Sequence, residues 1–257
     1  MRSTLLLLLP LLACAPVEPI TPNDAGVAIL EDGGSAADAG TAARSLLVFT
    51  RTAGFRHDSI PAATAAVRGI AAELGWNFAT TEDPVALEAA LPSTDVLLFL
   101  MTSGDVLGPS QEAAVERWVR AGGGFVGVHS AADTEYGWPF YEELVGAWFK
   151  SHPHIQTATV RVVDAAHPAT AHLPASWVAA DEWYDFRTDP SPRVHVLLDV
   201  DERTYTGGTM GAAHPVAWTR TIDGGRAFYT ALGHAISRWS EPELVAHLRG
   251  GIAWAGR

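Results

Sequence analysis

Gly122-Gly123-Gly124-Phe125-Val126-Gly127-Val128-His129-Ser130-Ala131-Ala132-Asp133 is the stretch from which the rest of the chain can be read. Phe125 to Val128 is a short apolar run, led in by glycines and stopped by small and polar residues, which is the pattern of a strand buried on both faces. A histidine follows directly. Gly127-Val128-His129-Ser130-Ala131 has the small-any-X-any-small spacing of a nucleophile elbow, the tight strand-to-helix turn that lifts one side chain into a cleft at a sheet's carboxyl edge. Position X holds His129, so the small neighbours allow the turn while no serine or cysteine is present to form a covalent intermediate. The same residues also suit an ordinary histidine at a strand end, because small-residue patterns of this kind are common in glycine-rich sequence.

Upstream of this strand the chain alternates between two periodicities. Ser45 to Thr50 reads as a first buried strand, and Arg51 to Ser59 as the loop after it. Pro61 then opens an alanine-rich helix to about Leu74, stopped by Gly75. Trp76–Thr80 predicts a strand, Pro84–Leu91 a helix, and Asp95–Met101 a strongly apolar strand. Pro109 starts a further helix with Val115, Trp118 and Val119 on one face, ended by Gly122. Strands alternating with helices predict an α/β fold, a doubly wound and mostly parallel sheet with helices on both faces. Ligands in such sheets sit beyond the carboxyl ends of the strands, which is where the loops carrying His57, Ser103–Asp105 and His129–Asp133 would open.

After Asp133 the rhythm changes to a β-rich half. Trp138–Val145 predicts a short helix, and Gln156–Val163, Val194–Val200, His214–Arg220 and Arg226–Thr230 predict strands. Asp223-Gly224 supplies a hairpin turn. Ser240-Glu241-Pro242-Glu243 has the form of a capping box, from which a last helix runs to about Trp254.

The chain of 257 residues is 48% apolar, enough to bury a full core in one domain over residues 45–257. Residues 1–13 predict a secretory signal, with the positive charge of Arg2 ahead of the apolar run Leu5–Leu12, which is too short for a stable span. Leu11-Leu12-Ala13-Cys14 has the form of a lipobox, so cleavage would leave Cys14 as a lipidated first residue; cleavage without lipid is the alternative reading. Cys14 is the only cysteine and cannot form an internal disulfide. Residues 14–44 are rich in Pro, Gly, Ala, Asp and Thr and predict a flexible tether. The expectation is an exported protein, lipid-anchored in the cell envelope and touching membrane through that anchor alone. Net charge is −12, and Lys150 is the only lysine. With no basic cluster the composition argues against nucleic acid as a partner and favours an uncharged polar small molecule.

The order of short signatures resembles the ThuA-like (trehalose utilisation) family, whose flavodoxin-like fold is similar to that of class I glutamine amidotransferases. The resemblance covers about residues 45–255. It rests on Gly54-Phe55-Arg56-His57, the strand ending Gly127-Val128-His129, Phe149–Pro153, His167-Pro168-Ala169-Thr170, Asp181-Glu182-Trp183-Tyr184, His214-Pro215-Val216-Ala217-Trp218 and Gly225–His234. It implies handling of carbohydrates, disaccharides or their keto forms. It does not bring glutamine hydrolysis, because an amidotransferase elbow needs a cysteine where this chain has His129.

His57, His129, His214, His234 and Glu182 are the catalytic candidates, with His152 beside them. Imidazole titrates near neutrality and suits proton transfer at a sugar hydroxyl or at a carbon next to a ketone. The same set would also suit a divalent metal such as zinc; no tight motif such as HExxH decides between the two, and the sequence names no other cofactor. Asp133, Trp183, Tyr184 and Trp218 are candidate substrate-binding residues, the carboxylate for hydroxyls and the flat rings for the apolar faces of sugars, although core packing explains most tryptophans. Two functions remain open on this reading: a carbohydrate-active enzyme of undefined reaction, and a non-catalytic carbohydrate-binding lipoprotein.

Overall fold

The computed structural model describes residues 43–257. The expected signal segment, Cys14 and nearly all of the tether lie outside the described residues. Eleven strands and five α-helices follow in the order β1 (Ser45–Phe49), α1 (Ile60–Leu74), β2 (Asn77–Thr81), α2 (Pro84–Ala90), β3 (Val96–Leu100), α3 (Pro109–Arg120), β4 (Gly124–Val128), α4 (Pro139–Val145), β5 (Phe149–Ser151), β6 (Gln156–Val162), β7 (Ser176–Asp181), β8 (Asp185–Phe186), β9 (His195–Val200), β10 (Pro215–Ile222), β11 (Gly225–Thr230) and α5 (Pro242–Ala255). Among the described residues no helix is long and apolar enough to cross a membrane.

Nine strands form one sheet in the order β2-β1-β3-β4-β11-β10-β9-β6-β7, and β5 pairs with β8 apart from it. The first five of that order are mutually parallel. Strands β1, β3 and β4 are apolar and buried almost throughout because helices cover both faces. Helices α1 and α5 pack together, as do α2 and α3. The chain steps from β1 outward to β2, then back over β1 to β3 and on to β4. Right-handed crossovers therefore place α1 on the face opposite α2 and α3.

At β11 the sheet changes character. The pairs β11–β10, β10–β9, β9–β6 and β6–β7 are all antiparallel. Four successive reversals make β7 point the same way as β11, so Asp181 and Glu182 leave it at the same edge as the loops after β1, β3 and β4. Laid flat, β7 would stand about 19 Å from β11. The Gly233 and His234 amides nevertheless donate to the Asp181 carboxylate at 2.9 and 3.0 Å, so the antiparallel half curls back over that edge.

Three local expectations are corrected. Strand β7 was not expected: Ser176–Asp181 is a mostly exposed edge strand, and its alternation is too weak to stand out after Pro174. The turn after β4 leads into a 3-10 turn over His129–Asp133 rather than an α-helix. The capping box at Ser240 does not form, since Glu241 occupies the cap position of α5 without a side-chain cap and Ser240 bonds the Ser237 carbonyl instead.

Candidate functional site

The backbone that presents His129 is unusual for a non-glycine residue. His129 has φ of 54°, in the left-handed region, and so does Met101 at the end of neighbouring β3. Each reverses the chain abruptly at the end of a buried parallel strand, which is the geometry of the elbow even though no nucleophile stands there. Gly127, two residues earlier, has the Tyr229 ring 3.1 Å from where a Cβ would lie, and that crowding favours a residue without one.

His129 is fully buried, and its ring orientation can be fixed from its partners. Nδ1 lies 2.8 Å from the carbonyl oxygen of Ala231, just beyond β11. A carbonyl only accepts, so Nδ1 carries the proton and Nε2 of the neutral ring presents a lone pair. That Nε2 is 3.1 Å from His57 Nε2, 3.3 Å from His234 Nδ1, 3.5 Å from a Glu182 oxygen and 2.9 Å from the Tyr184 hydroxyl. The loops after β1, β4, β7 and β11 thus meet at one point. His234 Nδ1 also lies 3.1 Å from Glu182, and the Ser130 hydroxyl is 3.3 Å from His57 Nδ1.

Above this point opens a cavity of about 360 Å³, lined by Phe55, His57, Ser130, Asp133, Phe149, His152, Glu182 and Tyr184. That size suits a small molecule. Phe55 is 66% exposed at the rim. His152 reaches within 3.6 Å of the second Glu182 oxygen. Asp133 accepts from Tyr136 at 2.5 Å. Two larger depressions, of about 550 and 540 Å³, lie beside Arg161 and Arg203 and beside Arg193 and Arg220. They gather no comparable set of side chains: Arg161 is paired with Asp199 and Asp201, and Arg203 with Asp201.

Electrostatics within the cluster are uneven. Burial, reinforced by the neighbouring imidazoles, pushes His57 down to about 3, so this ring is neutral at physiological pH. Burial works against ionisation of Glu182, but the neighbouring His129 and His234 imidazoles outweigh it and hold the carboxyl well below its usual range. The Glu182 hydrogen bond raises His234 despite desolvation. Tyr184 is held well above the usual phenol range by burial, and Asp133 is raised by the same cause.

The remaining sequence candidates divide clearly. Tyr184, Asp133 and His152 line the cavity. His214 does not reach it. Its Nε2 donates to the Tyr184 carbonyl at 2.8 Å, while Nδ1 faces Tyr205 and Glu202 at 2.9 and 2.8 Å. It is therefore a strut behind the site. Trp183 and Trp218 are corrected likewise: both are about 1% exposed, and their indole N–H groups bond the carbonyls of Gln156 and Val145. They pack the core and offer no face to a sugar. Residues not singled out from sequence are Ser130, Phe55, Phe149 and Asp181. Asp181 accepts from the amides of Glu182, Gly233 and His234 and from buried Arg238 at 3.2 Å, locking the two loops that carry Glu182 and His234. Its place directly before Glu182 was the available signal.

The sequence matches the family described as "ThuA: Trehalose utilisation" over residues 45–255. The chain belongs to the ThuA family. Among solved structures, it is similar to a ThuA-like protein of Bacteroides uniformis at 24% identity and a TM-score of 0.71, covering 84% of this chain and 93% of that one. A ThuA-like protein of Parabacteroides merdae gives 18% identity and 0.70, covering 83% and 90%. The β-galactosidase of Bacillus circulans sp. alkalophilus shares the fold at 12% identity and 0.53, covering 83% of this chain and 30% of the enzyme. No curated protein matches the sequence. The ThuA assignment and the nine-stranded mixed sheet, parallel from β2 to β11, agree on an α/β, amidotransferase-like fold. Chemistry of the cysteine-dependent amidotransferases has no nucleophile here, since residues 45–257 contain no cysteine.

Proposed function

We propose that this ThuA-family chain is an enzyme of carbohydrate utilisation, acting on a disaccharide or keto-sugar bound in the cavity above His129. The observation that carries this reading is the convergence of His57, His129, His234 and Glu182 on one point at the cavity floor, with side chains from four separate loops. Gathering three imidazoles and a carboxylate in a buried cluster costs desolvation, and perturbed titratable groups of this kind collect at functional clefts. The family's trehalose-utilisation description supports the substrate class. So does the cavity itself, in which Glu182, Asp133 and His152 offer partners for hydroxyls, and the Phe55 and Phe149 rings offer apolar surface to a pyranose face.

In this reading a sugar hydroxyl, or the carbon beside a keto group, approaches the cluster. The His/Glu cleft, with His152 and Asp133 beside it, supplies the groups that remove or return the proton, while the Tyr184 hydroxyl holds a neighbouring oxygen. Positioning and proton transfer together are worth orders of magnitude in rate. The test is a screen of purified protein against trehalose, other disaccharides and their keto forms, following products by NMR, with His129→Asn in parallel. Asn is chosen because it tolerates positive φ. The expected outcome is turnover of at least one sugar, reduced roughly 100-fold or more in the variant. Sugar binding with no turnover by the wild type would instead establish a binding protein on the same fold.

The same proposal places the enzyme in the cell envelope, exported and anchored through Cys14. Labelled fatty acid should enter the wild-type protein and be absent from Cys14→Ser; an unlabelled, freely released wild type would refute the anchor.

A further inference from the structure

We infer that His57, His129, His234 and Glu182 are ligands of one divalent transition-metal ion, of the zinc type, at the floor of the cavity. The inference rests on reading this cavity as the reactive site and specifies how the cluster acts there.

Four observations carry it. The first is spacing. Tetrahedral ligation with bonds of 2.0 to 2.1 Å requires ligand atoms about 3.3 Å from one another. The contacts His129–His57, His129–His234, His129–Glu182 and His234–Glu182 are 3.1, 3.3, 3.5 and 3.1 Å, and all four donor atoms lie within 4.8 Å of one another. The second is hydrogen-bond counting. In its neutral tautomer, with the Nδ1 proton given to the Ala231 carbonyl, His129 Nε2 has one in-plane lone pair. Yet the Tyr184 hydroxyl, two imidazole nitrogens and a carboxylate oxygen all converge on it. One lone pair satisfies one such partner well, and an ionised carboxylate has no proton to give. A cation at the centre accepts a lone pair from every ligand at once.

The third is outer support. A ligating histidine usually donates its other ring N–H to a carbonyl or similar acceptor, which fixes the ring and the tautomer. His129 does so to Ala231, and His57 places its other nitrogen 3.3 Å from the Ser130 hydroxyl. The fourth is access. Three of the ligands are buried, but His57 and Glu182 also line the cavity, so the outward side of the ion would face a bound sugar or water. Three imidazoles and a single carboxylate select zinc, iron(II) or their neighbours over magnesium or calcium, which prefer oxygen.

A second group of possible ligands, Asp185, Glu202 and His214, does not share these properties. Its atoms are already satisfied by the amides of Thr209 and Met210, the Thr209 and Tyr205 hydroxyls and the Tyr184 carbonyl. With the ion in place the three imidazoles are ligands rather than proton carriers. Proton transfer then falls to His152 and Asp133, which line the cavity without belonging to the ligand set. The metal supplies the polarisation of a sugar or water oxygen.

The test uses full-length protein stripped with chelator and retitrated with Zn2+ and Co2+, read by calorimetry, by elemental analysis after dialysis, and by the visible absorption of the Co2+ form. The inference expects one ion per chain, a Co2+ spectrum of low coordination number, and a rise in thermal midpoint with Zn2+. Glu182→Gln and His234→Asn are the ligand variants, and His214→Gln is the comparison from the second group. The ligand variants should fold, as judged by circular dichroism, and lose Zn2+ affinity by roughly 100-fold, whereas His214→Gln should retain it. A folded wild type that binds no stoichiometric Zn2+ or Co2+, or ligand variants that bind as tightly as wild type, would overturn the inference. Sugar turnover by metal-stripped protein would overturn it too, while leaving the carbohydrate reading of the cavity intact.

Discussion

Buried histidines in this protein do different jobs, and the partners of the two ring nitrogens tell three of them apart. In the cavity the inward nitrogens face one another. At His214 both nitrogens are committed to neighbours, so the ring is structural. His247 is a third kind: Nδ1 donates to the Ala169 carbonyl at 2.8 Å, and Nε2 is buried without a partner. Burial lowers His247 from 6.5 to about 4, against the small opposing effect of the Ala169 bond. The folded pKa is below the unfolded one, so the unfolded state binds the proton more readily. Stability is therefore intact above pH 6.5 and declines as pH falls from there to about 4. The loss is on the order of 3 kcal/mol. Urea unfolding of the full chain at a series of pH values should show this slope, and His247→Phe should flatten it. An unchanged slope in that variant would assign the effect elsewhere.

At the scale of elements, the parallel half was legible because its inner strands are short apolar runs, its helices open on proline, and α1 and α3 end at or beside a glycine. Ser45–Phe49, Val96–Leu100 and Gly124–Val128 lie within one or two residues of expectation. Strand β7 was not legible, because an exposed edge strand has no apolar face to announce it. This one omission hid how Glu182 reaches His129. Likewise the tandem His214-Pro215 reads alike whether the ring props a loop or faces a ligand, and a tryptophan beside a polar signature does not reveal which way it points.

Two substitutions test the elements directly. Asp181→Ala would leave Arg238 buried beside lost acceptors and release the loops of Glu182 and His234. Breaking a buried pair in this way costs about 3 to 5 kcal/mol, and the denaturant midpoint should fall accordingly; a midpoint near wild type would mean the pair is dispensable. Gly124 begins β4 beneath the end of α5, where an added Cβ would lie 2.4 Å from the Ala255 carbonyl oxygen. Backbone cannot yield as a side chain does, so Gly124→Ala should cost roughly 1 to 3 kcal/mol. Gly69→Ala, where nothing lies within 4 Å, should show no such loss.

The whole molecule joins two sheet halves with different tasks. The parallel half delivers His57, His129 and His234 to one edge by the ordinary logic of α/β folds. The antiparallel half curls over that edge and supplies Glu182, Tyr184 and, through the small β5–β8 sheet, Phe149 and His152. Neither half makes a site alone. The ThuA-like proteins of Bacteroides uniformis and Parabacteroides merdae share the overall fold. The most direct measurement is a crystal structure of this protein with a bound disaccharide or keto-sugar. The account predicts a sugar ring between Phe55 and Phe149 with an oxygen within hydrogen-bonding reach of Glu182 or His57. A sugar held instead in the cleft beside Arg161 and Arg203, with the histidine cluster untouched, would contradict it.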